Sequence, residues 1–359
     1  MSIPQPVLPL DQVVRTPEQG AEDGWVHLDR NERVGGLPDW FLQTIREALT
    51  SPQLTDYPMP GAFQRELAAY LGISEARVVL TPGSDAAFKS LYQAYVRPGD
   101  TVVMLDPSYA MYAVYAQMFG ARARPVGFSP TRELDPHGLL TAVTPGVRLV
   151  LLANPNQPTG TSLSDDLLQE VARRAAAVGA LLVVDEAYYP FSGHTILPWL
   201  DRTPNVLLTR TFSKAAGLAG LRLGVAVGHP EVIATLSKLR AAHEINSLAI
   251  LCAVQVLSHP EIIESYVADV QAGSRVLQER LTAMGLTPIP TPTNFMLVDL
   301  GVSKDPVRLV AALRRRRYLI KGPFEYECLA RCIRVTLGPP DIMKRFASVL
   351  EEELAHAER

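Results

Sequence analysis

The chain has 359 residues, a length at which a single hydrophobic core usually gives way to two domains. Hydrophobic residues make up 47% of the sequence and charged residues 20%, a balance that excludes an extensively disordered chain. The formal net charge of -3 offers no overall attraction to nucleic acid or to an anionic membrane. We therefore expect two folded domains, no nucleic-acid partner, and a local cluster of charges wherever an anionic ligand binds.

The N-terminus and the cysteines favour a cytoplasmic location. The opening segment MSIPQPVLPL has no basic stretch ahead of an apolar run, as a secretory signal would. No part of the chain approaches the ~20 consecutive apolar residues of a membrane span. Cys252, Cys328 and Cys332 cannot all pair with one another, and their spacing is not that of metal ligands. We expect a reducing compartment, no membrane association and no metal site.

From about residue 62 the sequence alternates between helical and strand periodicity, which is typical of a mostly parallel sheet covered by helices. Helical spacing is clear around Phe63 and Leu67 and again around Phe88 and Leu91. The predicted strands are ARVVL at 76–80, TVVML at 101–105, VRLVLLA at 147–153, LLVVD at 181–185, NVLLT at 205–209 and LRLGVAV at 221–227. Most of these runs are apolar on both sides of the pleat, as strands covered on both faces should be.

Beyond about residue 258 the pattern changes. A long helix is followed by short strands around FMLVDL, YLIK and CIRVTL and by a final helix rich in glutamate. We expect an α/β protein in which residues 36–257 form a large domain with a mostly parallel central sheet. Residues 258–359, together with an N-terminal arm at 1–35, would form a smaller α+β domain.

The segments that follow the predicted strands are polar. They read PGSDAAF, NPNQPTG, DEAYY and TFSKAAGLAGLR. Ligand pockets in open α/β sheets form outside the carboxyl ends of the strands, so four polar loops at one edge predict a binding site there. Gly83, Ser84 and Asp85 also open a predicted helix, whose free backbone N–H groups would attract a phosphate. Asp185 has two interpretations at this stage, a ligand contact or a helix cap.

Together these segments resemble the fold-type I enzymes that use pyridoxal 5′-phosphate, and among them the group that contains histidinol-phosphate aminotransferase. The resemblance runs from LDRNE at 28–32 to RCIRVTLG at 331–338. It implies that Lys214 forms a Schiff base with the cofactor and then moves a proton between substrate and cofactor, a role that suits an amine of lowered pKa. It also implies that Asp185 pairs with the pyridine nitrogen and that Tyr188 bonds the ring hydroxyl.

The same resemblance implies the remaining cofactor contacts. They are Gly83, Ser84, Asp85, Thr211, Ser213 and Arg222 around the phosphate, Tyr109 on the ring face and Gln157 at the ring hydroxyl. Gln157 departs from the asparagine that is common in the family, and it places the amide one methylene further out. Tyr57 resembles a tyrosine that reaches the neighbouring subunit's phosphate, which implies a homodimer.

For the substrate, the resemblance implies that Arg334 clamps an acidic group, which a planar guanidinium fits with two parallel hydrogen bonds. Lys321 stands where a second arginine is common, and we also expect Asn31 at the substrate. The segment LDRNERV carries Arg30 and Arg33 where the family commonly has small or amide residues. We expect one of these two arginines to select a distal anionic or strongly polar group, and the alternative is that both face solvent.

The predicted reaction is amino-group transfer between an amino acid, or an amino-phosphate compound such as histidinol phosphate, and a 2-oxo acid. A nicotinamide-dependent dehydrogenase would need a G-x-G-x-x-G segment after its first strand, which this chain lacks. A non-catalytic binding protein would have no use for Lys214 together with Asp185 and Arg222. Decarboxylation of a phosphorylated amino acid stays open, because the bond that breaks depends on its angle to the cofactor ring.

Overall fold

The computed structural model describes residues 10, 13 and 24–357, so most of the predicted N-terminal arm, including its opening segment, lies outside the described residues. The strands in chain order are β1 (Val26–Leu28), β2 (Val78–Thr81), β3 (Thr101–Asp106), β4 (Arg122–Gly127), β5 (Val147–Ala153), β6 (Leu181–Asp185), β7 (Val206–Thr211), β8 (Gly224–Val227), β9 (Thr287–Pro290), β10 (Phe295–Asp299), β11 (Tyr318–Ile320) and β12 (Cys332–Thr336).

The central sheet has seven strands in the order β2-β8-β7-β6-β5-β3-β4. Only β8 runs against its two neighbours, so the other six strands share one direction. Six strands therefore present their carboxyl ends at the same edge, which is where the polar loops of the sequence follow them.

Strand alternation divides the apolar side chains of this sheet between two faces. Leu182 and Val184 belong to one buried cluster, whereas Val183 between them belongs to another. Because both faces are covered, the strands read as continuous apolar runs in the sequence.

The helices cover these faces and build the rest of the molecule. They are α1 (Asp39–Ala48), α2 (Pro52–Thr55), α3 (Gly61–Tyr70), α4 (Gly83–Tyr95), α5 (Met111–Met118), α6 (Pro136–Ala142), α7 (Asp165–Ala177), α8 (Tyr189–Ser192), α9 (Pro230–Lys238), α10 (Ser247–Ser258), α11 (Glu261–Ala283), α12 (Pro306–Arg315) and α13 (Pro340–Ala357). Local sequence explains several starts. Ser164 and Asn246, for example, accept backbone N–H bonds as N-caps of α7 and α10.

A separate buried cluster surrounds two small sheets. β10 lies between β9 and β12 in an antiparallel sheet, and β1 pairs with β11 in parallel. Tyr266 and Leu277 of α11 and Phe346 of α13 belong to this cluster, and all three are almost fully buried. The β1–β11 pairing holds the chain that leaves β1, at residues 29–34, against elements from the far end of the sequence.

The predicted α/β fold with a mostly parallel central sheet is confirmed. The strand predicted at 221–227 begins only at Gly224, because residues 219–221 form a 3-10 turn and Arg222 has a left-handed backbone with φ of 53°. β4 was not predicted. Its sequence RARPVG is mostly exposed at the sheet edge, the position where a strand tolerates proline and polar side chains.

Among the described residues, no single helix has the length and apolar composition needed to cross a membrane. One bent pair, α10 with α11, meets those two criteria together across a 77° bend.

Candidate active site

A cavity of about 220 Å³ lies beyond the carboxyl ends of the central strands. The predicted site residues that line it are Arg30, Asn31, Ser84, Asp85, Tyr109, Gln157, Asp185, Tyr188, Thr211, Ser213, Lys214, Arg222 and Arg334. The fold thus brings together side chains that are scattered over three hundred positions of the sequence.

Lys214 lies in the loop between β7 and β8, and its Nζ donates a hydrogen bond of 3.0 Å to the Arg30 carbonyl oxygen. Burial lowers the pKa of Lys214 to about 8, and the positive charges of Arg334 and Arg222 act in the same direction. An amine with this pKa is partly uncharged near neutral pH, so it is able to act as a nucleophile and as a base.

Asp185 ends β6 and is only 6% exposed. Its Oδ2 accepts a hydrogen bond of 3.0 Å from the Tyr112 hydroxyl, and its Oδ1 accepts one of 3.1 Å from the Thr209 hydroxyl. Burial raises the pKa of Asp185 to about 6, and these two hydrogen bonds limit the rise. The carboxylate also accepts a hydrogen bond from the Ala187 backbone N–H, so it contacts the turn that follows β6 as well as the two hydroxyl groups.

The start of α4 forms an anion cradle. Gly83 has a left-handed φ of 74°, and a Cβ at this position would lie 2.6 Å from Arg222 Nη2, so only glycine lets the arginine approach. Arg222 Nη1 lies 3.4 Å from Ser213 Oγ, which in turn accepts a 3.0 Å hydrogen bond from Thr211. Hydroxyl groups, a guanidinium and a helix N-terminus together suit a phosphate.

Aromatic side chains form another part of the cavity lining. Tyr188 is 5% exposed, and its hydroxyl oxygen accepts a 2.8 Å hydrogen bond from Asn31 Nδ2. Burial raises the pKa of Tyr188 to about 12, so the hydroxyl keeps its own proton for an acceptor in the cavity. Tyr109 donates a 3.2 Å hydrogen bond to Asp85, which also accepts one of 2.8 Å from Tyr115. Asp85 therefore lines the cavity but uses its carboxylate to hold two tyrosines.

Arg334, on β12, is 4% exposed. Its Nη2 donates a 2.6 Å hydrogen bond to the Asp29 carbonyl oxygen, whereas Nε and Nη1 have no partner within the described residues. Burial lowers the pKa of this guanidinium, opposed by Tyr188 and Asp29. A buried cation with unsatisfied donors is costly, so the geometry calls for an anionic ligand.

Four predicted site residues do not line this cavity. Gly83 contacts Arg222 at the start of α4. Lys321 lines an adjoining cavity of about 950 Å³, which shares Arg30 and Arg334 with the first cavity. Tyr57 is 78% exposed and stacks on His243, with ring centroids 4.5 Å apart.

Arg33 does not line the cavity, which corrects the expectation that it contacts the substrate. Its guanidinium lies 4.4 Å from the Tyr266 ring centroid and donates hydrogen bonds to the Ile262 and Gly36 carbonyl oxygens at 2.9 and 2.8 Å. Because these bonds occupy it, Arg33 braces the backbone next to the site, and Arg30 is the arginine of this segment that lines both cavities.

Sequence analysis missed Tyr112 and Thr209, which contact Asp185 from outside the cavity. Tyr112 follows Tyr109 by three residues and reads as one more core aromatic of α5, and Thr209 reads as the polar end of a strand. The register of β6 and β7, which the structure shows and the sequence does not, pairs Asp185 with Thr209. No group of three or more potential metal ligands occurs within the part of the chain that the structure describes.

The fold and this site define an α/β protein that carries a lysine amine of lowered pKa in a cavity at the carboxyl edge of a mostly parallel sheet. Residues 23–350 match the family described as aminotransferase class I and II, and the chain belongs to that family. It is therefore an aminotransferase.

Within the family, the chain is similar to histidinol-phosphate aminotransferases. Histidinol-phosphate aminotransferase 2 of Ralstonia nicotianae is 34% identical, across 98% of this chain and 94% of the relative. The enzyme of Sinorhizobium fredii is 31% identical, across 93% and 90%. The crystal structure of the histidinol-phosphate aminotransferase from Sinorhizobium meliloti in complex with pyridoxal-5′-phosphate superposes with a TM-score of 0.82 at 28% identity, covering 92% of this chain and 91% of that one. The fold is thus that of the fold-type I aminotransferases, as predicted.

Proposed function

We propose that this aminotransferase holds pyridoxal 5′-phosphate on Lys214 and transfers an amino group between an amino acid, or an amino-phosphate compound, and a 2-oxo acid. The observation that carries the proposal is the position of Lys214. Its amine of lowered pKa shares one cavity with the Asp185 carboxylate and the Arg222 cradle. Similarity to aminotransferases does not favour the decarboxylase alternative.

The residues present fit the cofactor. Ser84, Ser213 and Arg222 would hold its phosphate with the N-terminus of α4, and the close approach of Arg222 to Gly83 supports that role. Asp185 would face the ring nitrogen, and Tyr109 would pack on the ring. A buried carboxylate suits a protonated nitrogen because the opposite charge offsets the cost of its burial.

When bound, pyridoxal phosphate supplies an aldehyde that condenses with amines and a ring that accepts electrons from the substrate carbon. Lys214 would provide the amine that holds the cofactor, and its Nζ would move a proton from the substrate carbon to the carbon of the cofactor that carried the aldehyde. The Tyr188 hydroxyl oxygen accepts a hydrogen bond from Asn31, and its O–H would donate a hydrogen bond to the ring hydroxyl oxygen of the cofactor. The Gln157 amide would donate a second one to the same oxygen. These side chains would orient the reacting groups.

Arg334 would bind the acidic group of the substrate through Nε and Nη1, the two donors without a protein partner in the described residues. The adjoining cavity extends from Arg334 past Arg30 and Lys321, so a substrate with a second anionic group would meet further cations there. Arg30 is now the candidate for this selection. Histidinol phosphate, which names the relatives, has one such anionic end.

We also propose a homodimer in which Tyr57 reaches the neighbouring site. Its exposed ring, outside the cavity of its own chain, supports that role. The division into a large domain at 36–257 and a small domain at 1–35 and 258–359 is part of the same proposal. It agrees with the separate buried clusters. The three buried and unpaired cysteines support a reducing, cytoplasmic location.

The direct test is chemical trapping. Borohydride reduction of the protein incubated with pyridoxal phosphate should fix the cofactor on Lys214, and mass spectrometry of the digested protein locates it. Lys214→Ala should abolish the adduct at that position and nearly all turnover. Lys89→Ala, at a lysine on α4 outside the cavity lining, is the matched control and should leave both unchanged. An adduct on another lysine, or normal turnover in Lys214→Ala, would reject the proposal.

A further inference from the structure

Two hydroxyl groups hold the carboxylate of Asp185. We propose that Tyr112 and Thr209 are positioning residues that keep Asp185 charged and fix its direction, so that the proton stays on the ring nitrogen of the cofactor. The inference rests on the proposed function, because it assumes that Asp185 faces that nitrogen. Neither Tyr112 nor Thr209 lines the cavity, so both act through Asp185.

The contacts divide the carboxylate between the two hydroxyl groups. Tyr112 bonds Oδ2 at 3.0 Å, and Thr209 bonds Oδ1 at 3.1 Å. All three residues are buried, with exposed fractions of 1% for Tyr112, 0% for Thr209 and 6% for Asp185. Because each oxygen has its own donor, the plane of the carboxylate is set and neither oxygen is free to turn away.

The two donors come from different elements. Tyr112 lies on α5, whereas Thr209 lies on β7 opposite Asp185 in the register of the sheet. Phe88 and Tyr109 meet the Tyr112 ring edge to face, with centroids 5.0 and 5.5 Å away. This packing leaves the phenol little room to rotate, so its hydroxyl is pinned on the carboxylate.

The physical need for these donors follows from burial. A buried carboxylate favours its neutral form, and burial does raise the pKa of Asp185, while Tyr112, Thr209 and the Ala187 backbone N–H oppose the rise. Of the other ionisable groups around it, Glu186 also raises the pKa of Asp185. Removing one hydrogen bond from a charged group shifts a proton equilibrium by roughly tenfold or more. Without the hydrogen bonds from Tyr112 and Thr209, Asp185 would compete with the ring nitrogen for the proton that lies between them.

The test measures where that proton lies. The protein is loaded with pyridoxal phosphate labelled with ¹⁵N in the ring, and NMR reports whether the nitrogen is protonated. Tyr112→Phe and Thr209→Val should each move the signal towards unprotonated pyridine, by roughly a tenfold change in the proton equilibrium. Thr209→Ser restores a hydroxyl and should restore the signal.

Tyr92→Phe is the matched control. It removes a buried phenol hydroxyl that bonds the Tyr112 carbonyl oxygen at 2.8 Å, so it disturbs the same packing without touching the carboxylate. Its ring nitrogen should keep the wild-type signal. If Tyr112→Phe fails to fold, the Thr209→Val and Thr209→Ser pair decides alone.

An unchanged nitrogen signal in Thr209→Val, or an equal shift in Tyr92→Phe, would overturn the inference. That failure differs from a failure of the proposed function, in which the wild-type protein itself would give no adduct at Lys214.

Discussion

Replacing Asp185 by asparagine should stabilise the cofactor-free protein in a pH-dependent way. The folded protein holds the proton of this carboxyl more tightly than the unfolded chain does, because burial raises its pKa from 3.8 to about 6. Below the lower value the group is protonated in both states, and its full contribution to stability is present. That contribution is lost as the pH rises through the higher value. At 1.36 kcal/mol for each pH unit, the loss amounts to about 3 kcal/mol.

Asparagine does not titrate, so it avoids this loss. The free energy of unfolding of Asp185→Asn, relative to the wild type, should therefore increase by about 3 kcal/mol between about pH 3 and about pH 8. Urea unfolding of both chains, prepared without cofactor and followed by tryptophan fluorescence, measures the difference at each pH. Asp201→Asn is the control, because its exposed carboxylate forms a surface ion pair with Arg77 that is worth at most about 1 kcal/mol.

A relative stability that stays constant across this pH range would refute the reasoning. It would mean that the buried carboxylate costs nothing in the absence of the cofactor. With the cofactor bound, the same substitution should instead lower turnover much more than cofactor affinity, because the charge opposite the ring nitrogen is gone. Asp185 would thus lower the stability of the cofactor-free protein and raise the turnover of the protein with its cofactor bound.

Three further predictions concern the rest of the site. In mixtures of Tyr57→Phe and Lys214→Ala chains, the heterodimer should hold one intact site of its two, so the heterodimer formed by subunit exchange should approach half of normal activity. No recovery after proven exchange would place Tyr57 in its own chain's site. Arg334→Ala should lower kcat/KM for every amino donor, which corresponds to a loss of roughly 2–5 kcal/mol of transition-state binding. Arg33→Ala should instead lower the urea midpoint of unfolding and leave the ranking of amino donors unchanged. A changed ranking would show that Arg33 contacts the substrate. Gly224→Ala would put a Cβ 2.2 Å from the Ser84 backbone nitrogen, so it should weaken cofactor binding measured by equilibrium dialysis, and unchanged affinity would argue against the cradle at α4.

Periodicity predicted the α/β sheet, and the polar strand ends predicted the edge at which the cavity lies, because the covered strands of a parallel sheet leave a strong apolar signal and their polar ends share an edge. The resemblance to the fold-type I enzymes added cavity residues outside those loops, such as Tyr109 and Arg334. The signal fails where a residue acts at a distance from its own loop. Arg33 is the clearest case. It lies two residues from Asn31, yet its guanidinium turns towards Tyr266 and the backbone at 36 and 262. A sequence does not show which of two nearby arginines points into a cavity.

The sequence did not predict the contacts of Tyr112 and Thr209 with Asp185 for a related reason. Tyr112 fits the apolar stripe of a helix, and only the packing of α5 against the sheet directs its hydroxyl at a carboxylate 73 positions later. A buried polar contact of this kind depends on tertiary geometry, which hydrophobic patterning does not encode. Neighbouring positions on paired strands, such as Thr209 and Asp185, become visible only when the register is known.

The pairing of β1 with β11 has a consequence for synthesis of the chain on the ribosome. The segment after β1 emerges early, yet Asn31 bonds Thr336 and the Asp29 carbonyl oxygen bonds Arg334, each 305 residues away. The cavity wall formed by residues 29–31 therefore lacks its contacts with β12 until nearly the whole polypeptide has been made. Until then the Arg30 carbonyl oxygen, which accepts the Lys214 hydrogen bond, has no small sheet to hold it in place. A nascent chain that stops before β12 would have its lysine but only part of the pocket around it.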